Sequence, residues 1–247
     1  MIIIKNDKEI DLMRIAGRIV AETLLLVEKE VKPGITTAEL DRIAEEFITK
    51  HGAKPSFKGL YGFPASLCIS VNEQVVHGIP GRYVLKEGDI VSVDCGAMID
   101  GYHGDAARTF AVGNISEEAQ KLIEVTKESF FKGLEAAKVG NNLTDISNEI
   151  QKYIEASGFS VVRDFVGHGI GKDLHEDPEV PNFGRPGRGP KLVTGMALAI
   201  EPMVNAGDYH VAVLDDDWTV VTDDGSLSAH YENTALITKD GCEILTL

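Results

Sequence analysis

The stretch VSVDCGAMIDGYHGDAARTFAV (Val91–Val112) reads as a β-hairpin, with two carboxylates set among residues that otherwise look like strand interior. Its turn is Asp100-Gly101, the dipeptide a two-residue type I′ turn prefers, because both central residues need φ > 0. That choice sets the register. Asp105 then faces Gly96, Asp94 sits diagonally from Asp105, and both side chains point to one face. Diagonal neighbours lie roughly 7–8 Å apart at the backbone and closer at Cβ, so two short acidic side chains there converge on one ion or one ion pair. Exposed aspartates on a solvated face would give the same local pattern, so the remainder of the chain decides between the readings.

The chain has 247 residues, 43% of them hydrophobic, enough to bury a sizeable core as one large α/β or α+β domain or as two small ones. Its formal net charge of −15 argues against nucleic-acid or anionic-membrane binding. MIII is followed at once by KNDKEID, unlike a signal peptide, and no run of about 20 apolar residues occurs. A cytoplasmic protein is expected. Cys68, Cys95 and Cys242 are odd in number and lack CxxC spacing, which speaks against a disulfide framework or a thiolate zinc site.

Outward from the hairpin, helical and strand patterns recur. Ile10, Met13, Val20, Leu24 and Val27 repeat at helical spacing until Pro33-Gly34. A second helix opens with Thr36-x-x-Glu39 as a capping box and closes at Gly52. Strands are expected at Leu67–Val76 and through the hairpin. The order then restarts, with helices from Ser116 to Lys138 and from Thr144 to Ser157, followed by strands near Val161–Val166, Met196–Val204, Val211–Val221 and Ser228–Thr238. One constant offset carries Lys32, Gly34, Leu40, Ile48 and Gly52 onto Lys138, Gly140, Ile146, Ile154 and Gly158. An offset one residue longer carries Leu85 and Gly88 onto Leu192 and Gly195, and Asp94 onto Glu201. The pattern implies two related helix-helix-sheet halves sharing a site.

In the second half, MALAIEPMV puts Glu201 at the end of an apolar strand, and SAHYENTALIT puts Glu232 inside another. Ionised carboxylates persist in such places when paired, hydrogen-bonded or bound to metal. His168, in FVGHGIG, adds a nitrogen donor. Each acidic residue alone reads as a surface carboxylate or local salt bridge. The set of one imidazole and four carboxylates points to two divalent ions, and its oxygen-rich, cysteine-free make-up suits Mn, Fe(II), Co or Zn. His103 and His230 share strand parity with Asp105 and Glu232 and rank below His168. His77 and His175 lie in Gly- and Pro-flanked loops, where they are either surface residues or, beside a metal centre, groups that serve a developing oxyanion or a proton.

The motifs SVNEQVVHGIPG, VDCGAMIDGYHGD, GHGIGKDLHEDP, AIEPMV and YENTALIT, in that order, resemble the methionine aminopeptidases of the pita-bread metallohydrolase fold, in their short bacterial type I form. The resemblance covers essentially the whole chain. It implies an α+β pita-bread fold: one catalytic domain over residues 1–247, whose pseudo-symmetric halves (about 1–113 and 114–247) form a curved, mainly antiparallel sheet covered by helices. It also implies removal of N-terminal methionine from peptides and nascent chains that carry a small second residue. By the same resemblance Asp94 binds one metal, Asp105 and Glu232 bridge both, and His168 and Glu201 complete the ligand set of the second metal. A metal-bridging hydroxide is the implied nucleophile, with Glu201 shuttling the proton, His175 at the carbonyl oxygen and His77 beyond the scissile bond.

Cys68, Phe63 and Trp218 match family positions that hold the methionine side chain, and Tyr61 is a weaker match. Leu60 reads as core packing. Asn72 and Ser228 resemble residues near a monovalent-cation site. A monomer, with transient ribosome contact and no nucleic-acid or membrane binding of its own, completes the expectation. The rival readings are a proline-directed aminopeptidase or prolidase of the same fold, and a non-catalytic binding module. Met203 after the Glu201-Pro202 pair and the lack of spare length count against the first, and the complete set of donors counts against the second.

Overall fold

A computed structural model describes residues 1–247. Helices α1 (Asp7–Glu30) and α2 (Thr37–Lys50) precede strands β1 (Lys54–Pro55), β2 (Leu67–Val71), β3 (Gln74–Val76), β4 (Ile90–Ile99) and β5 (Tyr102–Ala111). A second helix pair follows, α3 (Glu117–Ala136) and α4 (Leu143–Ala156). Next come β6 (Ser160–Val161), β7 (Gly167–Gly169), β8 (Glu176–Val180), β9 (Ala197–Ile200) and β10 (Met203–Asn205). The chain closes with β11 (Val211–Val213), β12 (Val220–Thr222), β13 (Ser228–His230), β14 (Asn233–Thr238) and β15 (Gly241–Ile244). The order helix, helix, sheet thus occurs twice, and each helix pair covers its own apolar core.

The hairpin forms as read. Asp100 and Gly101 have φ of +47° and +82°, and Gly96 pairs with Asp105 while Asp94 pairs with Ala107. Helix α1 is capped by Asn6, whose side chain accepts from the Glu9 amide while the Glu9 carboxylate accepts from the Asn6 amide. At α2 the expected capping box is only half present. Thr36 Oγ1 accepts from the Glu39 amide at 3.1 Å, but the Glu39 carboxylate is drawn to Arg42 at 2.7 and 3.0 Å, a charged partner outcompeting a neutral amide.

Gly104 lets α1 lie directly on β5, and Gly17 lets the C-terminal segment at Leu245 lie directly on α1. A Cβ on Gly104 would stand 2.8 Å from the Gly17 nitrogen, and one on Gly17 would stand 2.1 Å from the Leu245 carbonyl oxygen. In an exposed helix, Gly→Ala stabilises by about 1 kcal/mol. Here the backbone clash wins, so Gly17→Ala is expected to lower stability by about 1–3 kcal/mol, read as a fall in the urea midpoint. An unchanged or higher midpoint would contradict the close approach.

Several long strands expected from hydrophobic pattern are broken in two. Leu67–Val76 turns at Asn72, whose φ is +55°, and Val211–Val221 is a hairpin rather than one strand. Strand character near Val161–Val166 stops after Val161. Met196–Val204 breaks at Glu201-Pro202, and Ser228–Thr238 breaks at Tyr231-Glu232. Glu232 is therefore not inside a strand. Both segments change partners together: β9 pairs with β14 (Ile200 opposite Asn233), whereas β10 pairs with β13 (Met203 opposite His230). A proline at the first break removes an amide from the ladder, and a glutamate is left at each switch point.

The two halves are sewn together at the same level. Ala107 and Glu232 exchange backbone hydrogen bonds at 3.0 and 3.3 Å. Thr234 Oγ1 accepts from the Asp105 amide and donates to its carbonyl, and Thr109 Oγ1 does the same for His230, all at 2.9–3.0 Å. From the opposite face Arg108 donates to the carbonyls of Ala107 and Glu232 at 2.8 and 2.6 Å and to Asn233 Oδ1 at 2.7 Å. These contacts fix Asp105, His230 and Glu232 relative to one another through their backbones.

Candidate metal centre

Asp94 projects from β4, Asp105 from β5 and His168 from β7, while Glu201 and Glu232 occupy the two switch points. All five line one cavity. His168 Nε2 lies 3.9 Å from Asp105 Oδ2 and 3.7 Å from Glu201 Oε1. His230 Nε2 lies 3.8 Å from both Glu201 Oε2 and Glu232 Oε2. Donor atoms of Asp105, His168 and Glu232, and separately of Glu201, His230 and Glu232, fall within 4.8 Å of one another. The structure thus brings His230, which parity left ambiguous, onto the cluster. His103 goes elsewhere, its Nδ1 2.8 Å from Ser56 Oγ.

These spacings are too long for hydrogen bonds. They suit atoms that share an ion, since nitrogen and oxygen ligands about 2.0–2.2 Å from one metal lie roughly 3–4 Å apart. Nor are they ion pairs. Burial pushes the His168 imidazole down to about 4 and that of His230 to about 3, so both rings are neutral at pH 7. His168 Nδ1 is 2.9 Å from the Gly169 carbonyl and so carries the proton, which leaves the Nε2 lone pair facing the carboxylates.

The carboxylates are under the opposite strain. Burial raises Asp94 to about 7. Burial, and then the charges of their neighbours, hold Asp105, Glu201 and Glu232 well above the usual carboxylate range. Asp94 Oδ1, Asp105 Oδ1, Glu232 Oε1 and His230 Nε2 are buried with no hydrogen-bond partner. Orphaned buried donors and acceptors are costly, and four around one point fit divalent metal, which would neutralise the acids and use the free lone pairs.

The cavity, about 360 Å³, continues from the cluster into an apolar wall that includes Phe57, Leu60, Phe63, Cys68 and Trp218. Phe63 and Trp218 meet edge to face with centroids 5.0 Å apart. Leu60, read from sequence as plain packing, belongs to this wall as well. Burial, followed by the charge of Asp94, pushes the Cys68 thiol far up, so it is a neutral wall group rather than a nucleophile. Tyr61 is 78% exposed at the opening and stacks over His175 at 6.1 Å. His175 meets His168 edge to face at 4.5 Å, and His77 meets Phe165 at 5.6 Å. Burial lowers both His77, to about 4, and His175. Phe57, Val76, Phe165 and Met203, which also line the cavity, had no signal in the sequence beyond that of core residues.

Fold and site together define a pita-bread metallohydrolase, with its donors at the seam between two helix-covered halves. A model of metallopeptidase family M24 matches residues 11–239. The chain is 75% identical to a methionine aminopeptidase of Clostridium perfringens, over 100% of this chain and 99% of that one. It superposes on the crystal structure of methionine aminopeptidase from Rickettsia prowazekii with a TM-score of 0.99 at 45% identity, covering 100% of both chains. A prolidase from Pyrococcus horikoshii gives a TM-score of 0.82 at 26% identity, and there this chain covers only 63% of its counterpart. The chain belongs to metallopeptidase family M24.

Proposed function

We propose that this chain is a methionyl aminopeptidase, releasing N-terminal methionine from peptides and nascent proteins whose second residue is small. The observation that carries the reading is the junction of a five-donor cluster, which has buried unpartnered oxygens on Asp94, Asp105 and Glu232, with an apolar slot faced by Phe63, Cys68 and Trp218. Such a slot suits a flexible, polarisable thioether, which also gains from sulfur–aromatic contact. The Tyr61–His175 and His77–Phe165 ring pairs crowd the same cavity, which favours Ala, Gly or Ser as the next residue.

In this reading Asp94, Asp105, His168, Glu201 and Glu232 would together hold two divalent ions. Ions bound there supply Lewis acidity toward the scissile carbonyl and a water made acidic enough to ionise near neutral pH. Glu201, raised by burial and by Asp94, takes and returns the proton. His175, whose pKa is lowered by partial desolvation, offers its ring to the carbonyl oxygen, and His77 contacts the peptide past the scissile bond. Co, Mn, Fe(II) and Zn all suit the ligand set. A monovalent cation would sit near Asn72 and Ser228, which a backbone hydrogen bond of 2.9 Å holds side by side.

Residues 1–247 act as one catalytic domain, with residues 1–113 and 114–247 as its halves. The protein works as a monomer on nascent chains, touching ribosomes only in passing. The three cysteines are unpaired, which suits the reducing cytoplasm where we place the protein.

A competition assay tests the reading. Metal-stripped protein, re-supplied with Mn or Co, is offered Met-Ala-Ser, Leu-Ala-Ser and Gly-Pro-Ala together. Release of methionine alone, abolished by a chelator, is expected. Release of glycine would move the chain to the proline-directed relatives, and no release with any metal would favour a binding module.

A further inference from the structure

His175 has no hydrogen bond to either ring nitrogen; burial alone shifts it, and its ring touches only Tyr61 and His168 among the aromatic side chains. Its orientation is therefore inherited from the backbone that carries it. The next residue, Glu176, is the anchor of that backbone. Glu176 Oε1 accepts from the amides of Lys172 at 2.8 Å and Asp173 at 3.4 Å, closing the loop on itself. Glu176 Oε2 accepts from Lys5 Nζ at 2.6 Å, with the two side chains only 4% and 2% exposed.

Lys5 comes from the segment before α1 and is itself tied down, its amide donating to Gly195 at 2.9 Å and its Nζ to Ile3 at 3.0 Å. Gly171 admits the pair. A Cβ there would stand 2.4 Å from Lys5 Cε and 2.5 Å from Glu176 Oε1. The Gly171 carbonyl in turn accepts from the His103 amide on β5 at 2.9 Å, linking the loop to the hairpin that bears Asp105. Burying an ion pair gains little stability over apolar packing of the same shape, because desolvation offsets the attraction. A dry Lys–Glu pair one residue from an active-site imidazole is better explained by the geometry it imposes.

We propose that Lys5, acting through Glu176, is a positioning residue for His175. The inference rests on the role given to His175 above. It makes the N-terminal segment part of the catalytic scaffold although it lines no part of the cavity.

The test compares Lys5→Met, Glu176→Gln and the double variant K5M/E176Q, each alone and with His175→Ala. The readouts are kcat and KM on Met-Ala-Ser, bound metal, and amide exchange over residues 171–176. Lys5→Met is expected to lower kcat roughly 10- to 100-fold, the usual scale for a small misplacement. KM and metal content should stay put, while the Lys172 and Asp173 amides exchange faster. In the His175→Ala background the same substitution should change kcat by less than about 2-fold, since the group it positions is gone. An equal loss in both backgrounds would mean a general structural role and would overturn the proposal. Should Lys5→Met fail to fold because Glu176 is left buried and unpaired, K5M/E176Q removes both charges, and parent-level kcat in that variant would overturn it too. A His175→Ala enzyme with parent kcat would overturn the role of His175 itself, and this inference with it.

Discussion

Asp105→Asn and Glu232→Gln are each expected to take methionine release down by more than ~10³-fold, because several kcal/mol of charge stabilisation at the scissile carbonyl would be lost with the metals. Both residues are almost wholly buried, at 3% and 2% exposure, and each holds an oxygen that no protein group satisfies. An amide in either place removes a negative charge and turns one donor atom into an N–H that faces the ion. The same change has the opposite effect on the metal-free protein. Asp105 is forced upward by burial and by the charges of Asp94 and Glu201, so an amide there removes the cost of either protonating the acid or burying its charge. Metal-free Asp105→Asn should melt above the metal-free parent by ~2–4 °C, the shift that corresponds to about 1 kcal/mol in a domain of this size. Elemental analysis, product release and calorimetry on one preparation check all three parts. Full metal content together with a parent rate would sink the assigned site.

Removing the metals from the parent has an effect of similar size and a characteristic pH dependence. Chelation is expected to abolish activity, and re-supply of a divalent metal to restore it. In the stripped protein Asp94 titrates near 7, and Asp105, Glu201 and Glu232 lie well above their ordinary values of 3.8 and 4.5. Above about pH 4.5 the folded state therefore retains protons that the unfolded chain has released, and stability falls as pH rises. His77 and His168, near 4, and His230, near 3, work in the other direction against an unfolded value of 6.5. Between their folded values and 6.5 the unfolded chain binds the extra protons, so their contribution grows with pH. The two sets offset one another up to about pH 6.5, the unfolded histidine value. Beyond it only the carboxylates remain, and the metal-free protein loses stability through pH 7 to 8. Metal binding needs those carboxylates deprotonated and becomes tighter over the same range. The gap in melting temperature between loaded and stripped protein is thus expected to be smaller at pH 6 than at pH 8. A gap that does not change with pH would contradict the buried acidic cluster.

How much of this was legible varied with range along the chain. The Asp100-Gly101 turn and the shared face of Asp94 and Asp105 followed from local chemistry, and the register held residue for residue. The second, third and fourth helices were found within a residue or two, because their apolar faces and caps are written in consecutive turns. The strands of the second half were over-extended. An apolar run from Ser228 to Thr238 looks continuous, yet its first part pairs with β10 and its last part with β9, and alternation within one segment carries no record of that exchange. For the same reason parity could not separate His103 from His230, one turned to Ser56 and the other to the glutamates.

By itself the sequence determined the hairpin, the two helix pairs, the kinds of donor available and the family whose motifs the chain carries. These depend on neighbours a few residues apart, or on strings long enough to be distinctive. Only the tertiary structure decided which donors meet. Asp105 and Glu232 are brought to one point by the Ala107–Glu232 and Asp105–Thr234 hydrogen bonds, and His175 is set in place by Lys5 from the far end of the chain. Such pairings join segments more than a hundred residues apart. They are selected by the free energy of the whole packed sheet, in which a buried charge is tolerated only where its partner also arrives.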